Sequence, residues 1–264
     1  MAKTRTTNRS AEKSKSSLRT LIGRLGAILL IVLMLAVGGF IAWAEFPPAP
    51  MPEAISALES DSSVSVDQQQ WIEFLPVNQT PTTGFIFYPG GRVDARAYAP
   101  TMHQIAAAGY YAVIVPMPLN LAIFTPDRAD AVIAAHPEIQ HWVIGGHSLG
   151  GVMAANYAYE HPNAVQGLAL WASYPQASKS LADRQQLQVT SIYGTNDGLT
   201  TQADIEASAA NLPKLTSFIG ITGGNHGQFG WYGEQSGDTP ATISREEQQQ
   251  QVAAAMLTLL QSVK

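Results

Sequence analysis

The apolar run Trp142-Val143-Ile144-Gly145 leads directly into Gly146-His147-Ser148-Leu149-Gly150, and Gly151-Val152-Met153-Ala154-Ala155-Asn156-Tyr157-Ala158 follows at once. A chain with this succession must pass from a buried strand into a helix through a five-residue turn. G-x-S-x-G in that setting describes a nucleophile elbow, in which a strained backbone pushes the serine Oγ above the sheet edge. Side chains two residues either side of the serine would collide, so Gly146 and Gly150 are a steric requirement. The pentapeptide alone is a weak signal; the strand before it and the helix after it give it weight.

The surrounding pattern predicts an α/β architecture. Val64-Ser65-Val66 and Trp71-Ile72-Glu73-Phe74 alternate as an antiparallel hairpin would. Gly84-Phe85-Ile86-Phe87-Tyr88 is a continuous apolar run, typical of a strand buried on both faces. Helices are then expected at 98–108, 127–135 and 201–211, and strands at 110–115, 141–144, 165–171, 189–193 and 215–221. A short helical stretch is expected near 181–186. A long amphipathic helix over 244–263 begins with a capping box, Ser244 with Glu247 three residues on. The glutamine run 248–251 lies within it and reads as a solvated face. Such alternation implies a mostly parallel twisted sheet of about eight strands with helices on both faces.

The N-terminus is of another kind. Leu25 to Ala44 is uncharged throughout, and as a helix it spans about 30 Å, the thickness of a bilayer's hydrocarbon core. Of 15 bases and 20 acids in the 264-residue chain, seven bases (Lys3, Arg5, Arg9, Lys13, Lys15, Arg19, Arg24) and one acid (Glu12) precede that run, which leaves eight and nineteen for the rest. The imbalance predicts a single-pass signal anchor with a cytoplasmic N-terminus and an exported remainder. Cleavage after Ala42-Trp43-Ala44 is the alternative, and it exports the domain as well. The expected organisation is a basic tail at 1–24, a transmembrane helix at 25–44, a linker at 45–61 that is proline-rich at 46–52 with one or two helical turns expected over 53–58, and the α/β domain at 62–264. The acidic domain makes nucleic acid an unsuitable partner. With no cysteine, disulfides, thiolate metal sites and cysteine nucleophiles are excluded.

Ser148 needs a base, usually a histidine oriented by a carboxylate. In an elbow fold these partners follow in the order serine, acid, histidine, each on a loop after a later strand. Asp197, in Tyr193-Gly194-Thr195-Asn196-Asp197-Gly198, follows the second strand after the elbow. Asp183 precedes that strand, and Asp94 and Asp127 precede the serine. His226, in Thr222-Gly223-Gly224-Asn225-His226-Gly227-Gln228-Phe229, follows the last strand. His147 is expected to point away from the partner of Oγ, His103 lies on a helix before the nucleophile, and His136, His141 and His161 read as surface residues. The developing oxyanion needs donors. Leu149 N–H is one, and the loop Tyr88-Pro89-Gly90-Gly91-Arg92 supplies the second, Gly91 N–H with Arg92 N–H as the alternative. Met117–Leu121, Trp171–Tyr174, Phe229, Trp231 and Tyr232 are candidates to line the pocket, with core packing as the competing reading.

On Gly146-His147-Ser148-Leu149-Gly150-Gly151, on Asp197 after a strand running into Tyr193-Gly194-Thr195, and on Asn225-His226 after the last strand, residues 62–264 resemble the α/β-hydrolase superfamily. Within it they resemble compact bacterial members near the dienelactone-hydrolase branch, with serine in place of that branch's cysteine. The stretch 172–188 is too short for the lid many lipases insert there, which suggests an open cleft. The resemblance implies an α/β-hydrolase fold and a serine hydrolase, and the expected substrate is a carboxylic ester with an apolar acyl or alcohol group. Hydrolysis of a thioester, lactone or peptide bond, and a non-catalytic binding module, are the alternatives. No cofactor or metal is expected, since no clustered ligand set is evident and the glycine-rich loops lack a P-loop's Lys-Ser/Thr ending.

Overall fold

The computed structural model describes residues 6–263, which form two compact units, one ending at Phe46 and the other beginning at Pro47. The first is a single helix, α1 (Thr6–Glu45). Its segment Leu21–Glu45, with a mean hydropathy of 2.8, is long and apolar enough to cross a membrane. The second unit opens with α2 (Pro52–Ser56), and Met51 N–H donates to Trp231 O at 2.8 Å. The expected linker over 45–61 is therefore partly structured, and belongs to the second unit from Pro47 onward.

Eight strands form one sheet: β1 (Val64–Asp67), β2 (Ile72–Pro76), β3 (Thr83–Tyr88), β4 (Tyr111–Ile114), β5 (His141–His147), β6 (Gly167–Trp171), β7 (Gln188–Gly194) and β8 (Ser217–Ile221). Their order is β1-β2-β4-β3-β5-β6-β7-β8. The β1–β2 and β2–β4 pairs are antiparallel and the remaining pairs are parallel. Helices α3 (Ala99–Ala107), α4 (Ala129–Ala135), α5 (Leu149–Glu160), α6 (Gln202–Ser208) and α7 (Arg245–Ser262) complete the unit.

The period-2 alternation of side chains divides the core. Phe85 and Phe87 of β3 pack with Met102 and Ile105 of α3 and with Met256 and Leu259 of α7. Ile86 and Tyr88 face the other way, into a layer holding Val132 of α4 and Ala154 and Ala155 of α5. All six β3 residues are buried, as its continuous apolar run requires.

In register, Tyr88 lies opposite Gly146, His147 opposite Trp171, Trp171 opposite Ile192, and Gly194 opposite Ile221. Strands β3, β5, β6, β7 and β8 thus end along one edge, and their following loops emerge together there.

Two expectations about these elements need correcting. Residues 181–186 form turns, and the nearest helical element is a 3₁₀ turn at Ala177–Lys179. Tertiary hydrogen bonds hold the segment instead: Leu181 N–H donates to Asn211 O, and the Arg184 guanidinium donates to Ala158 O and Pro162 O. The helix expected at 98–108 is α3, preceded by a 3₁₀ turn at Ala95–Tyr98. Gln248 and Gln249 are not solvated. Both are buried, because they lie on the stripe that Val252, Met256 and Leu259 continue along α7.

Candidate active site

Ser148 sits between β5 and α5 with φ 50° and ψ −122°, outside the regions a non-glycine residue ordinarily occupies. The surrounding backbone enforces that conformation. Ser148 N–H donates to Trp171 O at 2.9 Å, and the buried Ser173 hydroxyl donates to Ser148 O at 2.8 Å. A Cβ on Gly146 would lie 2.5 Å from the Gly150 carbonyl carbon and 2.6 Å from Tyr88 O. One on Gly150 would overlap Tyr88 O and Pro89 O. The steric role read for both glycines follows directly from these approaches.

Asp197 and His226 stand on the loops after β7 and β8. Their side chains are buried, and His226 Nδ1 is 2.8 Å from Asp197 Oδ2. The other oxygen, Asp197 Oδ1, accepts N–H bonds from Leu199 at 2.8 Å and Thr200 at 2.7 Å, which fixes the carboxylate's rotation. His226 Nε2 is buried without a hydrogen-bond partner, so the bond from Ser148 Oγ to this nitrogen is not formed here.

His147 differs from its expectation. It is fully buried, and its ring centroid lies 4.5 Å from that of His226 and 5.6 Å from that of Phe229. The residue next to Ser148 thus packs directly on the histidine loop, because β5 continues to His147 and directs its side chain into the core. Burial, then the neighbouring His226, holds the His147 imidazole well below its ordinary pKa, so it is neutral. Burial likewise pushes the Tyr98 hydroxyl well above its usual value. That hydroxyl accepts from Gly90 N–H at 3.0 Å and lies 2.9 Å from His147 Nδ1, to which it donates. Tyr98 thereby ties the loop after β3 to the elbow.

That loop carries the candidate oxyanion donors. Arg92 N–H donates to Asn120 O at 2.8 Å, which removes it as the alternative. Among the described residues, Gly91 N–H and Leu149 N–H have no protein acceptor. A Cβ on Gly91 would lie 3.2 Å from Leu149 Cδ2, so the two donors belong to neighbouring residues in space.

The expected pocket lining divides. Trp171, Phe229, Trp231, Tyr232 and Met117 are buried, and Trp171 packs on Phe87 with centroids 4.6 Å apart. These are core residues. Tyr174 is exposed.

His136, His141 and His161 are half-buried, and His136 Nε2 lies 2.9 Å from the Tyr111 hydroxyl. The structure also gathers one ligand-type cluster that the sequence did not show, Asp127, Glu160 and His161. Contacts among these side chains and Lys179 account for it: His161 Nε2 lies 3.4 Å from Asp127 Oδ1, and Lys179 Nζ pairs with Glu160 Oε1 at 2.5 Å.

Sequence reasoning missed Tyr98 and took Ser173 only as candidate pocket lining, and it missed Asp238, which accepts from Gly198 N–H and Gly227 N–H, and Gln248, which bonds both backbone groups of Asn225. Only Gln248 had a legible signal, its helical phase with Val252 and Met256.

The sequence profile of the alpha/beta hydrolase family matches residues 84–250, and the chain belongs to that family. No curated protein sequence matches it. Among solved structures, the esterase domain of a Rhodothermus marinus protein is similar at a TM-score of 0.56 and 13% identity, over 73% of this chain and 92% of that one. Est1E from Butyrivibrio proteoclasticus, solved with ferulic acid bound, is similar at a TM-score of 0.56 and 12% identity, over 75% and 99%. TT1662 from Thermus thermophilus gives 0.55 and 12%, over the same shares. At these identities the likeness is one of fold.

Proposed function

We propose that the protein is a serine hydrolase of carboxylic esters in which Ser148, His226 and Asp197 form the triad. The observation that carries this reading is the strained, positive-φ backbone at Ser148 at the head of α5, whose neighbour His147 packs on His226 of the buried Asp197–His226 pair. Such strain persists where surrounding structure over-determines it, and it concentrates at reactive sites.

In the proposed reaction Ser148 Oγ attacks the acyl carbon while His226 Nε2 takes its proton. Asp197, bonded to Nδ1, keeps the other proton in place and stabilises the imidazolium. Leu149 N–H and Gly91 N–H receive the oxyanion. His226 then protonates the departing alkoxide, and water activated by the same nitrogen releases the acid and frees Ser148. Between β6 and β7 the only helical element among the described residues is the turn at Ala177–Lys179, which supports an unlidded cleft.

A fluorophosphonate probe and a chain-length series of nitrophenyl esters test the proposal on the detergent-solubilised chain. Wild type is expected to be labelled and to hydrolyse at least one ester, and Ser148→Ala to lose both while remaining folded. Folded wild type that is never labelled would leave a binding module. Labelling with turnover only of thioesters, lactones or amides would relocate the substrate class.

The helix at Leu21–Glu45 and the basic residues before it support a membrane-anchored protein with its catalytic domain exported. In a cysteine-free chain, Ser236→Cys should react with an impermeant maleimide on intact cells, and Ser14→Cys only after permeabilisation. The opposite pattern would invert the topology, and loss of the Ser14→Cys segment from the mature chain would indicate cleavage.

A further inference from the structure

We propose that Asp238 is a positioning residue that sets the Asp197–His226 distance by clipping together the loops that carry them, an inference that rests on the triad reading. Before the two reactive residues, backbone already joins the loops: β7 pairs with β8, and Asn196 N–H donates to Gly224 O at 2.8 Å. Beyond them the strands have ended, and the crossing is made by one carboxylate. Asp238 Oδ1 accepts from Gly198 N–H at 3.0 Å, and Oδ2 accepts from Gly227 N–H at 2.8 Å. Gly198 follows Asp197, and Gly227 follows His226. Oδ1 also accepts from Thr239 N–H at 2.8 Å, which fixes the carboxylate's orientation.

The next two residues grip the other side of the pair. Thr239 O accepts from Asn225 Nδ2 at 2.8 Å, and Pro240 O from Asn196 Nδ2 at 3.4 Å. Asn225 precedes His226, and Asn196 precedes Asp197. Segment 238–240 therefore holds the residue before and the residue after each member of the pair. Gly237, at φ 87°, makes the turn that brings the segment there, with Asp238 N–H bonded to Gln235 O at 3.1 Å. N–H bonds to an ionised carboxylate are roughly twice as strong as neutral ones, and only a carboxylate offers an acceptor oxygen to each loop.

Asp238→Asn keeps the shape but turns an NH2 toward one of the two N–H donors, so one crossing is lost. On the full chain in detergent, kcat per fluorophosphonate-labelled serine is expected to fall about 10- to 100-fold, as for a misplacement of about 1 Å, while KM stays within about twofold. The deshielded Nδ1–H proton of His226, read by NMR, should shift or broaden. Asp238→Ala should act in the same direction. A merely structural role would reduce the labelled fraction while leaving kcat per labelled site and the proton resonance unchanged, and that result overturns the proposal. So would failure of both variants to fold. Wild type that is folded but inactive defeats the triad reading instead; the resonance then still tests the clip.

Discussion

Gln248 gives the sharpest test of how the histidine loop is supported. Its Oε1 accepts from Asn225 N–H at 2.9 Å, and its Nε2 donates to Asn225 O at 2.8 Å. One buried side chain thus satisfies both backbone groups of the residue before His226. Gln248→Leu keeps comparable volume and removes both bonds. Leaving a buried polar group unsatisfied costs about 1–3 kcal/mol. Asn225 is half-buried and regains part of that from water, so about 2–4 kcal/mol is expected for the two groups together. For a unit of this size 1 kcal/mol moves the melting temperature by about 2–4 °C, so the shift should be about 4–16 °C. Differential scanning fluorimetry or calorimetry on the solubilised chain reads it, with Gln250→Leu and Gln251→Leu as controls. Both control positions are exposed and should change stability by no more than about 0.5 kcal/mol. A shift below about 2 °C for Gln248→Leu, or equal shifts for all three, would refute the clamp and restore the reading of the glutamine run as a solvated face.

Gly150→Ala places a methyl against Tyr88 O and Pro89 O, and should yield insoluble protein or a loss of at least about 3 kcal/mol in a denaturant titration; near-wild-type stability would contradict the steric account of the elbow. Gly91→Pro removes the proposed oxyanion N–H and should lower kcat on the best nitrophenyl ester about 100-fold, whereas unchanged turnover would assign that donor elsewhere. His147 is neutral when folded but takes a proton below about pH 6.5 when unfolded, so the unfolded state binds more protons there and stability falls as the pH drops, by up to about 1.4 kcal/mol per unit from this group. His147→Gln should therefore show a shallower loss of unfolding free energy between about pH 7.5 and 5.5 than wild type; parallel losses would mean that His147 is charged in the fold.

The elbow, the central strands and the candidate triad were legible because each leaves a local trace. A buried parallel strand must be apolar on both faces, a strained serine turn must be flanked by glycine, and loops after later strands must follow in chain order. His147 was misread because the sequence did not show that β5 continues to it, and one more strand residue decides which face the ring enters. Gln248 and Gln249 were misread because a polar residue on a core stripe is explained only by a partner distant in sequence, here Asn225 for one and Gln228 for the other. Asp238 left no trace, since Gly237-Asp238-Thr239-Pro240 is what any exposed turn looks like. Arg92 could be set aside as a donor only once Asn120 was seen to occupy its N–H.

β8 is the last strand of the sheet, and only Ile221 among its residues is buried. An edge of this kind opens locally at a lower free energy than the rest of the sheet. Fraying there would carry His226 out of register while β3, β5 and β6 stayed intact, so under the proposed triad warming should abolish ester turnover before calorimetry registers melting. Amide hydrogen exchange would show the same order, with protection lost first over 217–221, and the working range of the molecule would be set at its margin.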